Sequence, residues 1–131
     1  MDIIIETNPV SQLRPRISGN RMYDPKKVRD YKKYIAWETK RQWKKEPLQG
    51  AVKIKIDIYR DIQKTESKKN KKLKDEGVIR PTVKSDLDNY LKAVLDAMNK
   101  IAYVDDSQIV EINARKFYSY NPRVEIKLDI I

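Results

Sequence analysis

The sequence of 131 residues contains no cysteine and no histidine. Without cysteine it forms neither disulfides nor thiolate zinc sites, which permits a reducing cytoplasm. Without histidine it lacks the imidazole that commonly serves as general base and metal ligand, so catalysis would need carboxylates, lysine, tyrosine or a bound metal. No apolar run approaches the roughly 20 residues of a membrane span, and the N-terminus lacks the pattern of a signal peptide. We therefore expect a cytoplasmic protein that does not bind membranes.

The charge is strongly asymmetric, with 29 lysines and arginines against 19 aspartates and glutamates and a formal net charge of +10. Such a balance indicates a polyanionic partner. Nucleic acid is favoured over a membrane surface because the basic residues are not confined to one amphipathic helix. The length fits a single domain over residues 1–131.

Hydrophobic periodicity predicts an α+β domain, with a mixed, mostly antiparallel sheet of about four strands packed by two main helices. The helices are expected from an Asp24-Pro25 cap to about Lys45, and from near Asp86 to about Ile101. Between Val10 and Arg21 we expect a basic loop or arm. A β-branched run predicts a strand at residues 3–5, and alternating patterns predict strands at residues 52–59, 110–114 and 124–130. Asn121-Pro122 would join the last two strands as a hairpin.

The stretch from Arg60 to Lys84 is rich in lysine and poor in apolar residues. Such a segment buries too little surface to fold on its own account. It is either a solvated loop or exposed helix, or a flap that contacts DNA.

Aspartates cluster near the second helix, at Asp86, Asp88, Asp105 and Asp106. We predict that Asp86 caps or precedes the first turn of the helix, with Asp88 just inside that turn. Each aspartate could equally be an ordinary cap or turn residue. If the Asp105-Asp106 turn folds back beside the helix start, however, the shared negative charge calls for a divalent cation such as Mg²⁺ or Mn²⁺, which would neutralise a phosphate and activate water.

Lys92 follows Asp88 by one helical turn. A lysine at this spacing is usually half of a surface ion pair. In a phosphodiesterase the same ammonium could hold the scissile phosphate or stabilise transition-state charge.

Two segments, DLDNYLKAVLDAMN from Asp86 and IAYVDDSQIV from Ile101, resemble the RusA-type Holliday junction resolvases, whose D-L-D-N-x-x-K-x-x-x-D-A and D-D-x-Q-[IV] motifs are both intact. The resemblance implies a small homodimeric endonuclease that makes paired nicks in branched, four-way DNA with Mg²⁺ or Mn²⁺ and no small-molecule cofactor. It also implies that Asp86, Asp88 and Asp106 are the essential, metal-binding acids and that Lys92 is catalytic, while Asp96 and Asp105 rank lower.

A homodimer is also expected on physical grounds, because a junction presents two strands related by approximate two-fold symmetry. Two other functions stay open: a noncatalytic nucleic-acid-binding module, and an interaction domain for an acidic protein. The basic residues expected to contact DNA phosphates are Arg14, Arg16, Lys68, Lys69, Lys71, Lys72, Arg80 and Lys84.

Overall fold

A mixed four-stranded sheet with helices on one face forms the body of the protein. The computed structural model describes residues 2–13, 16–83 and 85–131, with the side chain of Arg16 excepted. The strands are β1 (Asp2–Glu6), β2 (Arg16–Ser18), β3 (Arg21–Tyr23), β4 (Val52–Asp61), β5 (Ile109–Ser119) and β6 (Arg123–Ile130). The helices are α1 (Lys26–Gln42), α2 (Lys68–Asp75) and α3 (Leu87–Met98), with a 3₁₀ turn at Asp106–Gln108.

The main sheet has the strand order β1-β6-β4-β5, in which β4 runs parallel to β5 and antiparallel to β6. This confirms a mixed, mostly antiparallel sheet of four strands in an α+β domain. The hairpin prediction was wrong, because β5 and β6 are consecutive in sequence but β4 lies between them. The turn at residues 120–122 determines where the chain reverses direction, but it does not determine whether β5 and β6 pair with each other. Here both strands pair with β4 instead.

Strict alternation in β4 puts Ile54, Ile56 and Ile58 on the buried face of the sheet, where α1 and α3 cover them. Equivalent positions of β1 and β6 complete this core. On β5 the alternation does not produce burial, since Val110 and Ile112 are 62% and 46% exposed. That strand is the sheet edge, with a partner on one side only.

Helix α1 begins one residue later than expected, with Pro25 rather than Asp24 at the cap position, and it ends at Gln42 rather than near Lys45. Asp24 instead binds the side chains of Gln12 and Lys32. Its carboxylate therefore joins the chain before α1 to the helix surface. The predicted basic arm contains structure as well: β2 and β3 pair into a separate two-stranded ribbon.

The lysine-rich segment contains an exposed helix, α2. Ser67 caps its start by accepting a hydrogen bond from the Asn70 amide, and Gly77 ends it with a φ of +81°, a backbone conformation that suits glycine. Lys74 anchors the helix, because its ammonium pairs with Glu66 and lies 4.4 Å from the centroid of the Tyr118 ring. Within the described ranges, no helix combines the length and the apolar character needed to cross a bilayer.

Candidate active site

Helix α3 presents two exposed aspartates at its N-terminal end. Asp86 occupies the cap position with an extended backbone, φ −70° and ψ 145°, and Asp88 lies in the first turn. This confirms the predicted placement of both residues. Within the described residues the Asp86 carboxylate makes no capping hydrogen bond, so capping does not account for its presence there.

The backbone before Asp86 is held by two other parts of the fold. The hydroxyls of Ser11 and Ser85 are 2.7 Å apart, and Lys116 of β5 donates to the Ser85 carbonyl at 3.2 Å. The backbone amide of Gln12 also donates to the Asn89 carbonyl of α3 at 2.9 Å. The N-terminal segment and the edge strand together fix the loop that carries Asp86.

Lys92 lies one turn further along α3, on the same exposed side as Asp88. It lines a cleft between α1, α3 and the segment that precedes β2, together with Gln12, Leu13, Asp24, Lys32, Asn89 and Asp96. All of these lining side chains except Leu13 are polar or charged. The motif lysine therefore faces a surface that DNA could reach.

The opposite wall of this cleft is fixed by Lys32, which sequence reasoning did not single out. Its ammonium is 3.0 Å from the Asp24 carboxylate and 3.2 Å from that of Asp96. The hydrogen bond from Lys32 holds the pKa of Asp24 below its ordinary value of 3.8. Asp96 thus has a structural partner, which agrees with its lower rank among the motif acids.

Both residues of the Asp105-Asp106 pair are exposed, but Asp105 has a structural role as the cap of the 3₁₀ turn. Asp105 accepts hydrogen bonds from the amide and hydroxyl of Ser107, while the Gln108 side chain accepts from the Asp105 amide at 2.8 Å. The Ser107 hydrogen bonds lower the pKa of Asp105. Gln108 also donates to the carbonyls of Leu48 and Gly50.

This reciprocal capping box accounts for the first aspartate and the glutamine of the D-D-x-Q motif as structural residues. Asp106 remains exposed beside them. Of the two aspartates, Asp106 is the one whose carboxylate makes no hydrogen bond to the other described residues.

The turn bearing Asp106 does not fold back beside the first turn of α3, which was the condition for all of these aspartates to share one site within a chain. It lies beyond the C-terminal end of that helix, where buried Tyr103 donates to the Leu95 carbonyl at 2.6 Å. Helix α3 has 12 residues, which at about 1.5 Å per residue makes it about 18 Å long. The sheet shows the same separation, because Ser85 contacts Lys116, far along β5, while Asp106 comes just before that strand begins.

One described chain therefore supplies two of the three predicted carboxylates at one place and the third at another. In agreement, the described residues contain no group of three or more acidic side chains positioned to hold a metal ion.

The predicted DNA-contacting residues are spread over several elements. Arg14 and Lys84 lie outside the described residues, and Arg16 is in β2 but its side chain is not described. On α2, Lys68, Lys69 and Lys72 are exposed. Lys71 on the same helix is half-buried.

Arg80 belongs to a column of cations and rings on the open face of the sheet. Its guanidinium is 4.0 Å from the Phe117 ring centroid and donates to the carbonyls of Gly77 and Lys116. Phe117 stacks on Tyr59 at 5.1 Å, and Arg123 lies 3.8 Å from the Tyr59 ring. Sequence patterns do not reveal this column, because cross-strand neighbours depend on sheet order.

The fold and the site define a class: a basic α+β domain that presents carboxylates and a lysine on the exposed side of helix α3, an arrangement that suits a nuclease. The chain matches the family described as Endodeoxyribonuclease RusA over residues 6–129, and it belongs to that family. It is 40% identical over 126 residues to the "Uncharacterized protein YqaN" of Bacillus subtilis (strain 168), a match that covers 92% of this chain and 89% of the relative. Family membership makes the protein a nuclease of the Holliday junction resolvase type, which acts on branched DNA in recombination.

Proposed function

We propose that the protein is a metal-dependent, structure-selective endonuclease that resolves four-way DNA junctions as a two-fold symmetric homodimer. The observation that carries this proposal is the exposed pair Asp86 and Asp88 at the start of α3, with Lys92 one turn on, in a chain of this family. The two copies would each cut one of two symmetry-related strands, which gives paired nicks and restores two duplexes.

The carboxylates suit a hard cation. Ionised aspartates offer only acceptor oxygens, the donors that Mg²⁺ and Mn²⁺ take in proteins. Asp86 and Asp88 would bind such an ion at the helix start, and the third carboxylate would come from Asp106. When bound there, a divalent cation offsets phosphate charge and helps to activate water.

A second copy of the chain offers a way to complete this site. Within one chain Asp86 lies at the N-terminal end of α3 and Asp106 beyond its C-terminal end, and the helix between them is about 18 Å long. In a two-fold dimer, any contact that residue i of one copy makes with residue j of the other is repeated with the copies exchanged. Such a dimer could therefore bring Asp106 of each copy to Asp86 and Asp88 of the other. We therefore propose that each metal site is composite and that dimerisation is required for cutting.

Lys92 would act on the phosphate rather than on the metal. Lys92 lines the cleft that also contains the Lys32 bridge. A positive charge there would hold the scissile phosphate and stabilise the extra negative charge that develops during attack. Asp88, at i−4, would keep the lysine side chain on this side of the helix.

Phosphate contacts away from the cut would come from the exposed lysines of α2 and from Arg80, with Arg14, Arg16 and Lys84 as further candidates from the sequence. Such contacts carry little base information and weaken steeply with salt. Junction recognition would then depend on DNA shape and on the spacing of the two active sites.

The test is cleavage of a synthetic four-way junction in Mg²⁺ by wild-type protein and by Asp88→Asn. The variant should bind the junction as wild type does and cut at least about 100-fold more slowly, since it loses one negative ligand. Asp2→Asn is the matched control, because Asp2 is an exposed aspartate on β1, the opposite sheet edge from β5. Undiminished cutting by Asp88→Asn would reject the active-site assignment. A wild-type protein that binds but never cuts in Mg²⁺ or Mn²⁺ would be a noncatalytic DNA-binding module.

A further inference from the structure

The ribbon formed by β2 and β3 exposes two large apolar side chains on one face. Ile17 and Met22 are directly opposite each other across the two strands, and they are 73% and 69% exposed. The two-residue connection has Gly19 at a φ of +61°, the conformation that a tight hairpin turn of this length needs at its first position. The ribbon is thus a hairpin with an apolar cross-strand pair facing water.

This exposure is unusual for so small an element. The ribbon is separate from the four-stranded sheet, and an isolated two-stranded hairpin is marginally stable in water. Two large apolar side chains placed together on one exposed face suit a surface that another molecule covers.

The charge around the pair favours nucleic acid as that molecule. From residue 7 to residue 23 the sequence contains three arginines and no acidic residue. Arg21 is exposed on β3, and Lys26 and Lys27 follow in the exposed first turn of α1. Isoleucine and methionine are among the side chains that proteins insert between base steps, and flanking cations then hold the distorted backbone.

The base of the ribbon is fixed to the catalytic helix. Asp24 follows β3 directly and binds Lys32, which also binds Asp96 on α3. The Gln12 side chain donates to the Asp24 carboxylate at 2.9 Å, and the Gln12 backbone amide donates to the Asn89 carbonyl. The ribbon therefore projects from the rim of the cleft that holds Lys92.

We propose that this ribbon is an apolar wedge for branched DNA: Ile17 and Met22 insert against an unstacked base pair at the branch point while Arg21 holds the flanking phosphate. The inference rests on the proposed function and adds the element that opens the junction. A branch point suits a wedge because the bases there have lost a stacking partner, so separating them costs less than in a continuous duplex.

The experiment uses junctions with 2-aminopurine at the branch point, whose fluorescence rises on unstacking, with EDTA present to prevent cutting. Wild-type protein should raise the fluorescence. The double variant Ile17→Thr with Met22→Thr keeps strand-forming residues at exposed positions, so its thermal unfolding should match wild type. It should still bind through its arginines, about tenfold more weakly, and lose the fluorescence rise. Ile4→Thr, another exposed isoleucine, is the control and should behave as wild type.

Three outcomes would overturn the wedge. One is a double variant that raises the fluorescence as wild type does. Another is a double variant that sediments as a monomer where wild type is a dimer, which would make the ribbon a subunit contact. The third is a wild-type protein that cuts junctions in Mg²⁺ without any fluorescence rise, which rejects the wedge and leaves the proposed function intact. Failure of wild type to bind junctions at all would reject both.

Discussion

A composite active site predicts that two inactive variants restore activity to each other. Asp88→Asn removes a ligand from the α3 end of the site, and Asp106→Asn removes one from the other end. In a mixed dimer, the Asp106→Asn subunit supplies an intact Asp86 and Asp88, while the Asp88→Asn subunit supplies an intact Asp106. One of the two sites is then fully wild type and the other carries both changes.

The expected magnitude follows from symmetry. Random reassortment puts about half of the subunits into mixed dimers, each with one working site, so the mixture should nick at about one quarter of the wild-type rate. If all three carboxylates acted within one chain, the mixed dimer would have no intact site. The length of α3, about 18 Å for 12 residues, is too great for one ion to bridge, since metal–oxygen distances are about 2.0–2.6 Å.

The assay is nicking of a junction labelled on one strand, with the two variants coexpressed under different affinity tags so that the mixed dimer can be purified. The purified mixed dimer should nick at about half the wild-type rate and should give single rather than paired nicks. Each variant alone is the baseline. A mixed dimer no more active than that baseline would refute the composite site, provided that it binds junctions normally.

Two predictions concern the scaffold. Arg115→Met should lower the free energy of unfolding by about 2–3 kcal/mol, as measured by chemical denaturation, because the Asp57 carboxylate is only 9% exposed and would lose the partner that lies 2.8 Å away. Adding Asp57→Leu to this variant should recover at least part of the lost stability. A further loss of stability in the double variant would contradict the reasoning. Asp24→Asn should cost about 1 kcal/mol at pH 7. Since Lys32 lowers the Asp24 pKa, the extra stability of wild type over the variant should be fully present above the ordinary pKa of 3.8 and should vanish as the pH falls through the lowered pKa. A stability difference that persists unchanged at pH 2 would refute the assignment.

Local pattern was enough to define much of this protein. Alternation identified β4 and β6, the apolar stripe of α3 identified its buried face, and the spacing of Asp86 and Asp88 put both at the helix start. The DLDN and DDSQ segments also pointed to the family. Each of these inferences depends on a repeat or motif contained within one element, where backbone geometry alone sets which side chains share a face.

The tertiary structure determined which strands and side chains are neighbours in space. It inserted β4 between β5 and β6, exposed Ile112 at the sheet edge, and gave Asp105 rather than Asp106 the capping role. It also placed Asp106 at the far end of α3 from Asp86. These relations depend on strand order and on the direction in which an element enters the core. Both are determined by the packing of segments distant in sequence, so no local repeat of residues specifies them.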